Sequence, residues 1–270
     1  VTINVTDTDD PEVVYVHHQQ DDILTGSGND VIHGHHIEDD AVITTGAGAD
    51  VLIVDEVKND AAVFTGTGND DITVTKVKNN ASISTEESAD SLVLGEIKDN
   101  VSISTGQGND EITVSKIKNH AEISMGEGDD TLILDGKDIK TSTTIELEDG
   151  QDTLILNEFT ANNIDISNVV TVDFDGTPTI SISDNHKLDI TVTGAEHIEF
   201  KDGAVYDFNA STSQYELTTN SAVVIDGTIE GLSYQTSSGL SGLTDVNGGF
   251  DFKHGDTVTF TLGNILIGTI

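Results

Sequence analysis

The sequence predicts an all-β fold: a right-handed parallel β-solenoid of coils about 20 residues long, closed by a β cap and followed by a small β-sandwich-like module. Three observations predict it. The first is a recurring turn: TGSGND (Thr25–Asp30), TGAGAD (Thr45–Asp50), TGTGND (Thr65–Asp70), TEESAD (Thr85–Asp90), TGQGND (Thr105–Asp110), MGEGDD (Met125–Asp130) and a worn LEDGQD (Leu147–Asp152). The second is period-two alternation of aliphatic and polar residues between those turns, the pattern of strands with one buried face. The third is the absence of any helical period, since Gly, Asn and Asp interrupt every candidate helix. A unit this short cannot bury an apolar face alone, so neighbouring units must stack.

Within each unit two strands follow the turn. Two residues after the turn Asp stand Ile32, Leu52, Ile72, Leu92, Ile112, Leu132 and Leu154, and four after it Gly34, Val54, Val74, Leu94, Val114, Leu134 and Leu156. Ile37, Val57, Val77, Ile97 and Ile117 complete the first strand. After a polar corner, Ala41, Ala61, Ala81, Val101 and Ala121 begin the second, followed by Ile43, Val63, Ile83, Ile103 and Ile123. Stacked in register about 4.8 Å apart, these positions form continuous apolar ladders.

The two corners differ in chemistry. At one, Gly-x-Gly-x-Asp permits positive φ and turns backbone carbonyls toward the inside of the bend. Carbonyls of Gly26, Gly28, Gly46, Gly48, Gly66, Gly68, Gly106, Gly108, Gly126 and Gly128 are then candidate ligands. They join the carboxylates of Asp30, Asp50, Asp70, Asp90, Asp110, Asp130 and Asp152. Two adjacent coils supply about six hard oxygens, a set suited to Ca²⁺ and too loose for Mg²⁺. The opposite corner reads VKND, VKNN, IKDN or IKNH, where Asn and Asp tolerate left-handed backbone and close the bend without metal. Lys58, Lys78, Lys98 and Lys118 read there as a solvated row, while Glu56, Lys76, Glu96 and Lys116 place unlike charges on adjacent coils.

The metal-edge turns resemble the calcium-binding nonapeptides of the repeats-in-toxin (RTX) family, G-G-x-G-x-D-x-U-x with U a large aliphatic residue. Gly26, Gly28, Asp30 and Ile32 carry the match in the first turn, and the TGAGAD, TGTGND, TGQGND and MGEGDD turns repeat it over about half the chain. Thr or Met replaces the first Gly of the motif, and only one edge of each coil bears it. The resemblance therefore implies a single row of Ca²⁺, as in the solenoid regions of giant RTX adhesins. TEESAD keeps Asp90 but loses both glycines, so the row is expected to weaken there unless Glu86 or Glu87 donates an oxygen.

Residues 158–215 keep strand patterning without the period, and GAEHIEFKDGAVYDF resembles the segment that closes RTX arrays. A cap is required because a terminal coil otherwise exposes apolar core and an unpaired edge. Residues 12–157 form the predicted solenoid and 216–270 a β-sandwich-like module with Asp-Val-Asn-Gly turn chemistry. Residues 1–11 read as the end of a preceding domain plus an acidic linker, DTDDP, similar to cadherin-type calcium linkers through Asp7, Asp9 and Asp10. Structured sequence at both ends makes the chain read as a fragment of a longer protein.

Forty-nine acidic residues against 11 basic ones, all of them Lys, give a formal charge of −38 over 270 residues. Such a charge repels nucleic acid and anionic membrane, and it destabilises a compact state unless counterions bind. No Cys is present, so neither disulfides nor thiolate metal sites contribute. No nucleophile elbow, HExxH or phosphate loop is found, and catalysis is not expected. His17, His18, His33, His35 and His36 gather at one end, read as solvated histidines with a surface Zn²⁺ or Ni²⁺ site as the sharper alternative.

The expected role is a calcium-dependent structural or adhesive segment of a large secreted bacterial adhesin, folding outside the cell at the bacterial surface. Its expected partners are calcium, neighbouring domains and cell-surface or matrix ligands. A calcium-dependent S-layer or matrix protein is the alternative, as is a ligand- or ice-binding solenoid. Ice binding needs flat rows of Thr and Asx on the calcium edge. The positions available, Ser27, Ala47, Thr67, Glu87, Gln107 and Glu127, interrupt such a row.

Overall fold

In a computed structural model the chain is all β, and the description covers residues 3–7, 11–161, 164, 170–172, 176–183, 188–223 and 229–270. Asp9 and Asp10 of the acidic linker lie outside these residues. No helix among the described residues is long and apolar enough to cross a membrane. Two compact units are present, Val1–Asp202 with Phe208–Gln214, and Gly203–Asp207 with Tyr215–Ile270.

The first unit is a parallel β-solenoid. Its longer strands, Val13–Gln19, Val31–Glu38, Val51–Lys58, Asp71–Lys78, Ser91–Lys98, Glu111–Lys118 and the start of Thr131–Glu146, pair in parallel as one sheet. The shorter strands, Ile3–Asp7, Ile23–Ser27, Val42–Ala47, Ala62–Thr67, Ser82–Ser84, Val101–Gln107 and Ala121–Glu127, pair as a second. Register follows the repeat, with Leu52 beside Ile72, Ile72 beside Leu92 and Leu92 beside Ile112. Because side chains alternate across each strand, this register puts every aliphatic ladder between the two sheets. Ile32, Leu52, Ile72, Leu92, Ile112, Leu132 and Leu154 are all essentially inaccessible.

The polar corner closes through an asparagine ladder. Asn59, Asn79, Asp99 and Asn119, and their neighbours Asp60, Asn80 and Asn100, all have φ between 56° and 64°. Asn and Asp enter this left-handed region at lower cost than other non-glycine residues. Their side chains bond along the axis: Asn59 Nδ2 donates to Asp39 Oδ1 at 2.8 Å, Asn79 Nδ2 to Asn59 Oδ1 at 2.8 Å, and Asn80 Nδ2 to Asp60 Oδ1 at 3.0 Å.

The lysines beside that corner divide into two kinds. Lys98 and Lys118 are partly exposed and pair at the surface, Lys98 Nζ with Asp99 Oδ2 at 3.1 Å and Lys118 Nζ with Glu96 Oε1 at 2.9 Å. Lys58 and Lys78 are not solvated spectators: their Nζ atoms lie 2.8 and 2.6 Å from the two carboxylate oxygens of Glu56, which is nearly buried. Burial raises the Glu56 pKa, and the two ammonium groups more than offset it, bringing it down to about 2.

Past Leu156 the chain departs and then resumes the coil. Leu188–Thr193 pairs in parallel with the second half of Thr131–Glu146, and Ala195–Phe200 with Asp152–Leu156. On its other side Leu188–Thr193 takes Pro178–Ser183 antiparallel, which in turn takes Val170–Val172. These antiparallel strands cover what would be the open edge of the shorter-strand sheet.

The second unit holds a four-stranded antiparallel sheet (Ser241–Leu243, Ser233–Thr236, Val258–Leu262, Ile265–Thr269) and a two-stranded one (Thr219–Val223 with Gly249–Lys253). Leu232, Tyr234, Phe250, Val258 and Phe260 form its core.

Candidate functional site

The glycine corner of the solenoid is built from backbone outward. Gly46 and Gly48 have φ of 102° and 135°, and a Cβ on either would stand 1.9 Å from the carbonyl oxygen of Gly26 or Gly28 in the coil before. Side chains are thus excluded twice, by conformation and by the close approach of the preceding coil. The TEESAD coil reaches the same bend without glycine, with Glu86 at φ 75° and Ser88 at φ 88°. Its shorter strand contracts to Ser82–Ser84, where the neighbouring coils have Ala62–Thr67 and Val101–Gln107.

Each bend delivers one carboxylate to the interior. Asp30, Asp50, Asp70, Asp90, Asp110, Asp130 and Asp152 are between 0% and 3% exposed. Oδ1 of each accepts the backbone N–H one coil earlier: Asp30 N to Asp50 Oδ1, Asp50 N to Asp70 Oδ1, Asp70 N to Asp90 Oδ1, Asp90 N to Asp110 Oδ1 and Asp110 N to Asp130 Oδ1, all at 2.8 Å. The ladder runs on from Asp130 N to Asp152 Oδ1 at 2.9 Å. It starts at Glu12 N, which donates to Asp30 Oδ1, and ends where Asp152 N donates to Glu196 Oε2 at 3.0 Å.

Oδ2 of all seven aspartates is buried and has no hydrogen-bond partner. Among the described residues, none donates to the carbonyl oxygens of Gly28, Gly48, Gly68, Gly108 or Gly128 either. At the last bend the two donor types converge: the Cβ position of Gly150 lies 1.8 Å from the Gly128 carbonyl oxygen and 3.0 Å from Asp152 Oδ1. The carbonyls of Gly66 and Gly126 are already engaged, accepting from Glu87 N at 3.2 Å and Asp149 N at 3.1 Å.

Electrostatically the row is unsatisfied. Burial pushes the carboxyl of Asp70 up to about 6 and those of Asp90, Asp130 and Asp152 up to about 7, with neighbouring carboxylates adding to the rise. Asp50 and Asp110 are raised for the same first reason. No lysine or histidine among the described residues pairs with any of the seven. Buried carboxylates without a cationic partner either take up a proton or bind a cation.

The bend threonines form a parallel hydroxyl ladder. Thr25 Oγ1 donates to Thr45 O at 3.1 Å, Thr45 to Thr65 O at 3.1 Å, Thr85 to Thr105 O at 3.2 Å and Thr105 to Met125 O at 2.9 Å. The hydroxyl of Thr65 makes no such bond to the TEESAD coil and instead lies beside Asp70, whose carboxyl it favours in the charged form.

Sequence spacing foresaw the seven aspartates on one edge, and the structure brings them together. It did not foresee Glu196, 44 residues beyond Asp152, as the terminal acceptor. The only signal was the strand pattern AEHIEF, in which Glu196 follows a Gly by two residues as the turn aspartates do.

No family model, curated protein or solved structure matches this chain.

Proposed function

We propose that the glycine–aspartate edge binds a row of Ca²⁺ ions, and that the protein is a calcium-rigidified structural or adhesive segment of an RTX-type bacterial surface protein. The observation that carries this reading is the ladder of buried, partnerless Asp Oδ2 atoms on one edge. Carboxylate and carbonyl oxygens are hard donors, and a set drawn from two stacked bends suits the 6–8 ligands and irregular geometry of Ca²⁺ better than the strict octahedron of Mg²⁺. Thiolate is absent and no imidazole joins the ladder, so the donor set does not select softer metals.

Metal binding and folding are one event in this reading. The unfolded chain has no preformed site, and without cations the aspartates repel one another across every coil boundary. Affinities on the order of 10⁻⁴–10⁻³ M, typical of extracellular modules, leave the chain unfolded in a low-calcium cytosol and fold it outside. Such a switch suits export of an unfolded chain followed by assembly at the cell surface, where a stiff spacer can present neighbouring domains to cell-surface or matrix ligands.

Far-ultraviolet circular dichroism of the calcium-loaded protein should show a β spectrum that collapses on chelation with EGTA and returns on adding Ca²⁺. A spectrum unchanged in excess EGTA at neutral pH sinks the reading.

A further inference from the structure

A second cluster lies on the long-strand sheet, beside the asparagine corner. The first coil is two residues shorter than the 20-residue coils that follow it, so His18 registers with His36; the ordinary spacing then sets His36 beside Glu56. The two imidazoles stack with centroids 4.7 Å apart and planes within 7°. His18 Nδ1 is 3.0 Å from Glu38 Oε1, while Glu38 Oε2 is held by Lys58 Nζ at 2.9 Å. The Glu38 carboxylate is therefore divided, one oxygen committed to lysine and the other turned toward the histidines. One ligand atom from each of His18, His36 and Glu38 lies within 4.8 Å of the other two. Glu56 Oε2 lies 3.1 Å from His36 Nδ1 but is already held by Lys58 Nζ at 2.8 Å, and that ammonium stands 3.4 Å from His36 Nδ1.

We propose that His18, His36 and Glu38 form a site for a borderline divalent transition metal such as Zn²⁺ or Ni²⁺, distinct in position and selectivity from the aspartate ladder. Two imidazoles and one carboxylate are the donor set of an open three-ligand zinc site, with water in the remaining position. A metal about 2.0–2.1 Å from each donor subtends ligand–ligand edges of roughly 3 Å, comparable to the His18–Glu38 separation. Parallel rings cannot both aim a lone pair at one ion, so coordination tilts them out of their stack. His18 is more than half exposed, so its ring is the one with solvent to tilt into. Glu38 is nearly buried and pinned by Lys58, which makes it the preorganised member. Imidazole donors favour Zn²⁺, Ni²⁺ or Cu²⁺ over Ca²⁺, so calcium at concentrations that fill the aspartate edge leaves this site available.

The test is calorimetric titration of the tag-free chain with ZnCl₂ in calcium-containing buffer, which keeps the chain folded under the preceding proposal. Saturable binding of about one equivalent is expected. His18→Ala and His36→Gln should each weaken it about tenfold or more, whereas His33→Ala should leave it unchanged. Absence of saturable Zn²⁺ binding overturns the proposal. So does binding that survives both His18→Ala and His36→Gln, which would assign the metal elsewhere. Retention of the β spectrum in each variant separates a lost site from a lost fold, and failure of calcium-dependent folding alone would leave the zinc isotherm of the folded chain as the deciding result.

Discussion

The two edges of the solenoid solve the same stacking problem in opposite ways. At both, in-register coils place polar side chains directly above one another at the strand spacing. The asparagine edge dilutes charge: Asn59 donates to Asp39, Asn79 to Asn59, Asn80 to Asp60 and Asn119 to Asp99, so amide donors separate the carboxylates. The aspartate edge accumulates charge, one buried carboxylate per coil, with a backbone N–H and a neighbouring threonine hydroxyl but no cation to offset it. One edge is hydrogen-bonded within the chain, and the other leaves one buried carboxylate oxygen per coil without a hydrogen-bond partner. That contrast motivates the calcium proposal, because alternation with amides was available in the same fold and is used at the opposite corner.

The largest effect should come from protons substituting for metal. The aspartates raised to about 6 and about 7 hold protons in the folded state that the unfolded chain releases near its ordinary pKa of about 4. Folded-state pKa values above the unfolded ones make this contribution fully present below about pH 4 and lost as pH rises through about 7. In EGTA, lowering the pH from about 8 to about 5 should therefore restore β circular dichroism, whereas with Ca²⁺ bound the spectrum should be insensitive over the same range. Metal-free protein that is more stable at pH 8 than at pH 5 would remove the aspartate edge from its special position.

Next in size is Gly48→Ala. Its φ of 135° and the Gly28 carbonyl 1.9 Å from the new Cβ should cost about 3 kcal/mol or more, read as a lowered denaturation midpoint in saturating Ca²⁺. Asp110→Asn sharpens the contrast by changing sign with conditions. It keeps an oxygen for Asp90 N–H but removes a charge, so the calcium concentration for half-folding should rise about tenfold. The same variant in EGTA should be more stable than the parent, because one repulsive buried carboxylate is gone. On the other edge, Asn79→Ala should cost about 1–2 kcal/mol through left-handed strain, equally with and without metal, and Asn79→Gly much less. A calcium-dependent cost at Asn79 would erase the distinction between the edges. Smallest is Lys78→Met, expected to lower stability by about 1 kcal/mol, since its partner Glu56 retains Lys58.

Much of this was legible in the chain because the repeat length is the register: residues 20 apart become axial neighbours, so any row can be read by counting. That is how the Ile32-to-Leu154 ladder and the aspartate row were seen, and how Glu56 was placed beside Lys76. Counting failed where side chains reach diagonally or where the period breaks. Lys58 and Lys78 are long enough to cross to Glu56, so a row that reads as solvated is partly withdrawn from water. Glu196 ends the ladder 44 residues beyond Asp152, a separation that no repeat spacing anticipates. The His18–His36 stack depends on the first coil being two residues short, which only the pairing register reveals.

The sequence by itself determined the architecture, the side of each strand that is buried and the edge on which acids collect, because period-two alternation and a constant repeat leave a stacked parallel solenoid as the way to bury those ladders. Only the tertiary structure decided that each Asp spends one oxygen on the preceding coil and leaves the other unpartnered, that threonine hydroxyls run beside them, and that Glu38 is divided between a lysine and a histidine. Those outcomes rest on distances between coils and on the direction of individual side chains. A one-dimensional period carries the order of residues along the axis, and it carries nothing about which atom of a side chain faces the next coil.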